Sequence, residues 1–238
     1  MSDKLVIVIP AYNESENIIE VVKEWHEVVA KAGSESELFV INDGSKDNTE
    51  EILLGLRETY PQLRVFTKQN GGHGPAVTYG YHKALEANAD YVFQTDSDGQ
   101  TRPDEFWPFW EARTEYDAQF GFRKVRQDGF GRWVVTKVLR FVVLVKFKTW
   151  VTDSNVPFRL MSATSLSELL TYIPDNYNLP NILLSVLYKK RGYKMRHMQI
   201  TFRPRQGGVN SINLRSISKI GRAAWSDFSS YAKRFKNN

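Results

Sequence analysis

No cysteine occurs in the chain. A disulfide scaffold, a thiolate zinc site and a cysteine nucleophile are therefore excluded. Long hydrophobic runs are missing too. Residues 5–9 are apolar but far too few for a signal h-region or a membrane span, and the apolar stretch at 141–145 is bounded by Arg140 and Lys146. These absences predict a cytoplasmic protein, with any membrane contact peripheral and at the inner face. No internal repeat, linker or low-complexity stretch divides the sequence.

The 238 residues suit one large domain, or one domain with a C-terminal extension. Hydrophobic residues make up 42%, enough for a sizeable core, and the 25% of charged residues argues against disorder. The net charge of +5 conceals a split. Residues 1–121 carry 10 Lys and Arg against 22 Asp and Glu, a balance of −12; residues 122–238 carry 22 against 5, a balance of +17. Such asymmetry points to an anionic partner: a membrane surface, nucleic acid or a phosphorylated ligand.

The acidic half alternates strand and helix patterns. Residues 5–9 form a β-branched run of the kind buried on both faces of a parallel sheet, with Pro10 expected to end it. A helix follows, with Ile18, Val22, Trp25 and Val29 on one stripe. Residues 38–41, 63–67 and 90–95 read as further strands. Asp47 with Glu50 suggests a capping box, and Pro75 a helix start. This order predicts an α/β fold: a Rossmann-like, mostly parallel central sheet with helices on both faces. In the second half, residues 155–161 and 194–202 suggest strands, 179–188 a helix, and 214–235 an amphipathic helix. The expected division is a domain over 1–212, in an acidic half (1–121) and a basic half (122–212), then a basic C-terminal amphipathic helix over 213–238.

Ligands in such sheets bind beyond the C-terminal strand ends. Three of those ends are polar: Ala11-Tyr-Asn-Glu14, Asn42-Asp-Gly-Ser45 and Asp96-Ser-Asp-Gly-Gln100. In an extended chain Asp96 and Asp98 share one side, where a hard cation such as Mg²⁺ or Mn²⁺ relieves their repulsion; Gln100 would share it too. A plain Asp-Gly turn is the competing reading. Asp43 suits a base or ribose, or the start of a helix. The glycines around His73, in Asn70-Gly-Gly-His-Gly-Pro-Ala76, would let backbone N–H groups approach a phosphate or sugar, with His73 either a donor or structural. The G-K-[ST] ending of a P-loop is absent.

Five blocks in order carry a more specific signal: Val-Ile-Pro-Ala-Tyr-Asn-Glu14, Asn-Asp-Gly-Ser-Lys-Asp-Asn-Thr49, the 70–76 segment, Gln-Thr-Asp-Ser-Asp-Gly-Gln100 and Asp153-Ser-Asn-Val-Pro-Phe-Arg159. Together they resemble the family 2 glycosyltransferases of GT-A fold, in particular the dolichyl- and polyprenyl-phosphate sugar transferase type. Pro157 stands where the last block usually has Gly. The segment from Phe202 to Ser211 resembles a further block of that type. The resemblance implies that Pro10, Tyr12, Glu14 and Asp43 line a nucleotide pocket. It implies that Asp96 faces the nucleotide sugar or metal, and that Asp98 binds the metal, with Gln100 assisting. Arg205 and Ser211 would hold phosphate, Asp153 would lie at the reacting centre, and Arg123 and Arg132 would grip an acceptor phosphate. The implied activity is metal-dependent, inverting transfer from a UDP- or GDP-sugar to a polyprenyl-phosphate or glycan acceptor.

Residues 122–150 hold eight Lys and Arg, one acidic residue and several aromatics, which fits either a membrane interface or a core helix with solvated cations. Two alternatives compete with sugar transfer. A sugar-phosphate nucleotidylyltransferase would need a Gly-rich basic signature where Ala11-Tyr-Asn-Glu14 stands. A basic nucleic-acid-binding module lacks a recognisable motif, so no nucleic acid partner is expected.

Overall fold

The computed structural model of the chain describes residues 3–123, 141–203 and Phe228. Strands and helices alternate at first: β1 (Leu5–Ala11), α1 (Ile18–Ala32), β2 (Glu37–Asn42), α2 (Thr49–Thr59), β3 (Leu63–Thr67), α3 (His73–Glu86) and β4 (Tyr91–Thr95). Then come α4 (Trp107–Glu111), β5 (Ala118–Phe122), a helical segment at 141–147, β6 (Phe158–Ser162), α5 (Ala163–Leu170), α6 (Pro180–Lys190) and β7 (Met195–Gln199). The described strands form one sheet in the order β3-β2-β1-β4-β6-β5-β7. Every pairing is parallel except those of β6, which runs against both β4 and β5.

Two neighbouring residues of β4 show how the layers are placed. Side chains of successive strand residues point to opposite faces. Trp25 of α1 packs on Phe93 at 5.3 Å between ring centroids, whereas the Tyr81 hydroxyl of α3 reaches Gln94 at 3.4 Å. Helices α1 and α3 therefore cover opposite faces. Gly80 lets α3 lie close: a Cβ there would come 2.3 Å from Val8 and 3.0 Å from Ile41.

Strand order reverses at β1, between β2 and β4, so a crevice is expected beyond the ends of β1 and β4. Pro10 belongs to this opening. It does not end β1; it lies inside it, in register with Ile41. The Ala11 carbonyl accepts the Asp43 N–H at 2.9 Å, so Ala11 turns its polar groups toward β2 and Pro10 turns the opposite way. On that side pairing with β4 has stopped at Val8, so the missing N–H costs no ladder bond.

Antiparallel β6 then carries later residues to the same edge. Phe158 pairs with Thr95, so the segment before Phe158 arrives beside Asp96. The expected strand at 155–161 begins later, at Phe158, because residues 153–157 form this turn. Of the expected tail helix, only Phe228 is among the described residues; it is buried against Phe147, with ring centroids 5.5 Å apart.

Candidate active site

The first two strand-end loops are laced together. Asn13, at φ 54°, donates its N–H to Ser45 Oγ at 3.0 Å and accepts the Lys46 N–H at 2.8 Å. The Glu14 N–H reaches Thr49 Oγ1 at 2.9 Å, and the Ser15 N–H reaches Asp47 Oδ2 at 3.2 Å. Burial pushes the Asp47 carboxyl up, but hydrogen bonds from Thr49 and Ser15 outweigh it and hold the group below the usual carboxylate range. The expected capping box does not form. Asn48 precedes α2 without a side-chain cap, and Glu50 instead accepts the Thr67 hydroxyl at 2.8 Å.

Asp43 organises the glycine loop. Its side chain is 3% exposed and accepts from Lys68 Nζ at 2.7 Å and from the N–H groups of Gly71 and Gly72 at 3.0 and 2.8 Å. Gly44, at φ +65°, allows the approach, since a Cβ there would sit 2.9 Å from the Asn70 nitrogen. α3 begins directly after Gly72, two residues before the expected Pro75, and points its first turn at the crevice. Gly74 fixes that turn against the 177–178 backbone, where a Cβ would come 2.4 Å from the Tyr177 carbonyl oxygen.

A cleft of about 360 Å³ opens at this edge, lined by Pro10, Tyr12, Glu14, Asp43, His73, Asp96 and Asp98, among others. Tyr12 is 42% exposed at its rim. Asp96 accepts from Gln94 Nε2 at 3.3 Å, with His73 Nε2 at 3.8 Å. Although 29% of its side chain faces the cleft, lost solvation dominates and raises its pKa to about 6; His73 pulls it down and Asp98 pushes it up. Asp98 accepts the Gln100 N–H at 3.1 Å around a turn at Gly99, φ +68°. The plain-turn reading of the Asp-x-Asp segment holds, and the turn itself presents Asp98 to the cleft. The chain does not stay extended to Gln100, whose amide donates to the Arg203 carbonyl at 3.4 Å and is not among the cleft-lining residues.

Two hard carboxylates in one cleft fit a divalent cation. Among the described residues no group of three or more His, Cys, Asp or Glu could hold a metal. A cation at Asp96 and Asp98 would complete its shell with water and substrate oxygens, as Mg²⁺ commonly does.

Asp153 and Arg123 do not line the cleft, but Arg123 lies near enough to Asp96 to draw its pKa down. Asp153 is 5% exposed, at φ +37°, and its Oδ2 accepts the Arg123 N–H at 3.4 Å, with Arg123 Nε at 3.6 Å. The Arg123 guanidinium stacks over Phe202 at 4.3 Å. Arg132, Arg205 and Ser211 lie outside the described residues. Sequence reading passed over Lys68 and Gln94. Lys68 carries no local signal, whereas a glutamine inside the apolar strand Tyr91–Thr95 was a visible anomaly.

Residues 6–176 match the glycosyl transferase family 2 profile. The chain belongs to that family. Its architecture is GT-A: glucosyl-3-phosphoglycerate synthase from Mycobacterium tuberculosis, solved with Mn²⁺ and UDP-glucose, superposes with a TM-score of 0.69 at 19% identity, covering 97% of this chain and 79% of that one. Among family 2 relatives, a dolichyl-phosphate beta-glucosyltransferase of Trichomonas vaginalis is 38% identical over 42% of this chain and 30% of its own length. An undecaprenyl-phosphate 4-deoxy-4-formamido-L-arabinose transferase of Pseudomonas fluorescens is 29% identical over 71% of this chain and 51% of its own length. A UDP-N-acetylglucosamine–dolichyl-phosphate N-acetylglucosaminyltransferase of Methanococcus voltae is 31% identical over 71% of this chain and 74% of its own. The chain thus spans about half or less of the first two relatives.

Proposed function

We propose that this family 2 domain moves a sugar, with inversion, from a nucleotide-sugar donor to a polyprenyl-phosphate acceptor, using Mg²⁺ or Mn²⁺. The observation that carries the reading is the single cleft in which Asp43, His73, Asp96 and Asp98 meet at the reversal point of the sheet. The acceptor class is supported by the relatives named for dolichyl and undecaprenyl phosphate, and the nucleotide and metal by the synthase solved with Mn²⁺ and UDP-glucose.

In this reading Tyr12 offers a ring face to the base at the rim. Pro10, Glu14 and the Asp43–glycine-loop wall shape the nucleoside pocket. The N-terminus of α3, with His73, faces the diphosphate with its partial positive charge. Asp96 and Asp98 would hold the cation, which when bound would neutralise charge on the departing diphosphate. Arg123 and Arg132 position the acceptor phosphate, while Arg205 and Ser211 hold donor or acceptor phosphate; guanidinium forks suit these tasks. A phosphate acceptor is already ionised and needs alignment more than deprotonation. A glycan hydroxyl would instead call on Asp153 as general base.

The proposal places the protein at the inner face of a membrane. In the helical segment 141–147, Val142, Val143 and Phe147 are buried, while Phe141, Leu144 and Val145 are exposed and Trp150 follows at 52% exposure. Lys146 and Lys148 flank this second apolar face, the composition of an interfacial contact. No described helix is long and apolar enough to cross a membrane. Assaying transfer from UDP- and GDP-sugars to polyprenyl phosphate and to a glycan acceptor tests the reading. Transfer only to the glycan would replace the lipid acceptor, and pyrophosphate release from a nucleoside triphosphate would favour the nucleotidylyltransferase.

A further inference from the structure

Beneath the carboxylates lies a group of polar side chains with no access to solvent. Gln94 on β4, Asn181 and Ser185 on α6, and Arg159 on β6 are each at most 2% exposed. Gln94 donates Nε2 to Asp96 Oδ1 at 3.3 Å, and its Oε1 accepts Asn181 Nδ2 at 3.0 Å. The Tyr81 hydroxyl lies 3.2 Å from Asn181 Oδ1 and braces the pair. The Asn181 backbone carbonyl accepts Arg159 Nη1 at 2.9 Å, and Ser185 Oγ accepts the same group at 3.1 Å. Arg159 then donates to the Val156 carbonyl at 2.8 Å and the Ser154 carbonyl at 2.5 Å, within the turn that carries Asp153. A hydrogen-bonded path therefore runs from Asp96 to the Asp153 turn entirely through the interior.

Burying a guanidinium is costly, and a well-packed apolar residue is often the more stable choice. Here carbonyl oxygens, a hydroxyl and the face of Phe120 at 4.6 Å receive it. Its bonds converge on a turn whose first residue has the uncommon φ of +37°. What the arrangement supplies is position: a planar fork fixes several carbonyls at once.

We infer that Arg159, Asn181 and Gln94 are positioning residues that lock Asp96 and the Asp153 turn into one fixed relation, so that the donor and acceptor sides of the centre are aligned together. The inference rests on the proposed function in placing Asp96 on the donor side and Arg123, which Asp153 holds, on the acceptor side. It is tested on the full chain with Gln94→Met and Arg159→Lys, singly and combined. Amide hydrogen exchange is followed at residues 94–98 and 153–156, and kcat and KM are measured for the nucleotide sugar. Gln94→Met is expected to speed exchange in the 153–156 turn, and Arg159→Lys to speed it at 94–98, each by about tenfold. Each substitution lowers kcat by about tenfold with KM within about twofold, and the double variant loses little more than the worse single, as coupled groups do.

The inference is overturned if each substitution loosens only its own side, or if the losses in kcat multiply. Should Arg159→Lys fail to fold, Asn181→Ala cuts the same path at its middle. A wild-type chain without transfer activity would sink the functional reading alone, and the exchange data would still decide the network.

Discussion

Asp98 has two tasks at the residue scale, and they are separable. It holds the turn by accepting the Gln100 N–H, and it presents charge to the cleft. Asp98→Asn retains an acceptor for the turn and removes the charge. We expect its thermal midpoint to stay within about 2 °C of wild type while metal-dependent transfer falls by about a hundredfold, as for loss of an electrostatic contact made in the transition state. Melting curves and initial rates check this together. Asp43 is different, because its carboxylate is already engaged by Lys68 and two glycine N–H groups. Asp43→Ala leaves those donors without their acceptor, at a cost of about 1–3 kcal/mol in stability. Urea unfolding measures the loss, and nucleotide affinity should fall with it as the wall of the cleft slackens.

Legibility in the sequence varied by element. The β-branched run of β1 and the apolar stripe of α1 declared themselves, because their partners are whole faces of the core. Pro10 was harder. A proline ends a strand only where its N–H was needed, and that depends on where β4 stops pairing. The Asp47–Glu50 pair likewise matched a local rule but lost to Thr67 on a neighbouring strand. The polar strand ends were visible as a set, whereas Lys68, Gln94 and the Arg159 network depend on contacts distant in sequence. Gly74→Ala forces a Cβ against the Tyr177 carbonyl, so α3 must shift; we expect a stability loss of about 1–3 kcal/mol by denaturant unfolding. Replacing Phe141 and Val145 with Ser, both exposed, should leave the melting temperature unchanged while abolishing co-sedimentation with anionic vesicles at low salt. Retained vesicle binding would remove this face from the membrane contact.

Across the whole molecule the charge split acquires a physical sense. The cleft carboxylates all belong to the −12 half, while the +17 half contains Arg123 and the cations flanking the exposed apolar face. One sheet joins the two, with β6 as the reversed strand that returns later residues to the edge where β1 and β4 part. The proposed reaction is transfer from a nucleotide sugar to a lipid phosphate, dependent on a cation held at Asp96 and Asp98. The most direct test is the initial rate of labelled sugar transfer to polyprenyl phosphate, for wild type and Asp98→Ala, with Mn²⁺ and with EDTA. Labelled lipid product is expected from wild type with Mn²⁺ and none from the variant or in EDTA. Full activity in EDTA, or near-normal transfer by Asp98→Ala, would contradict it.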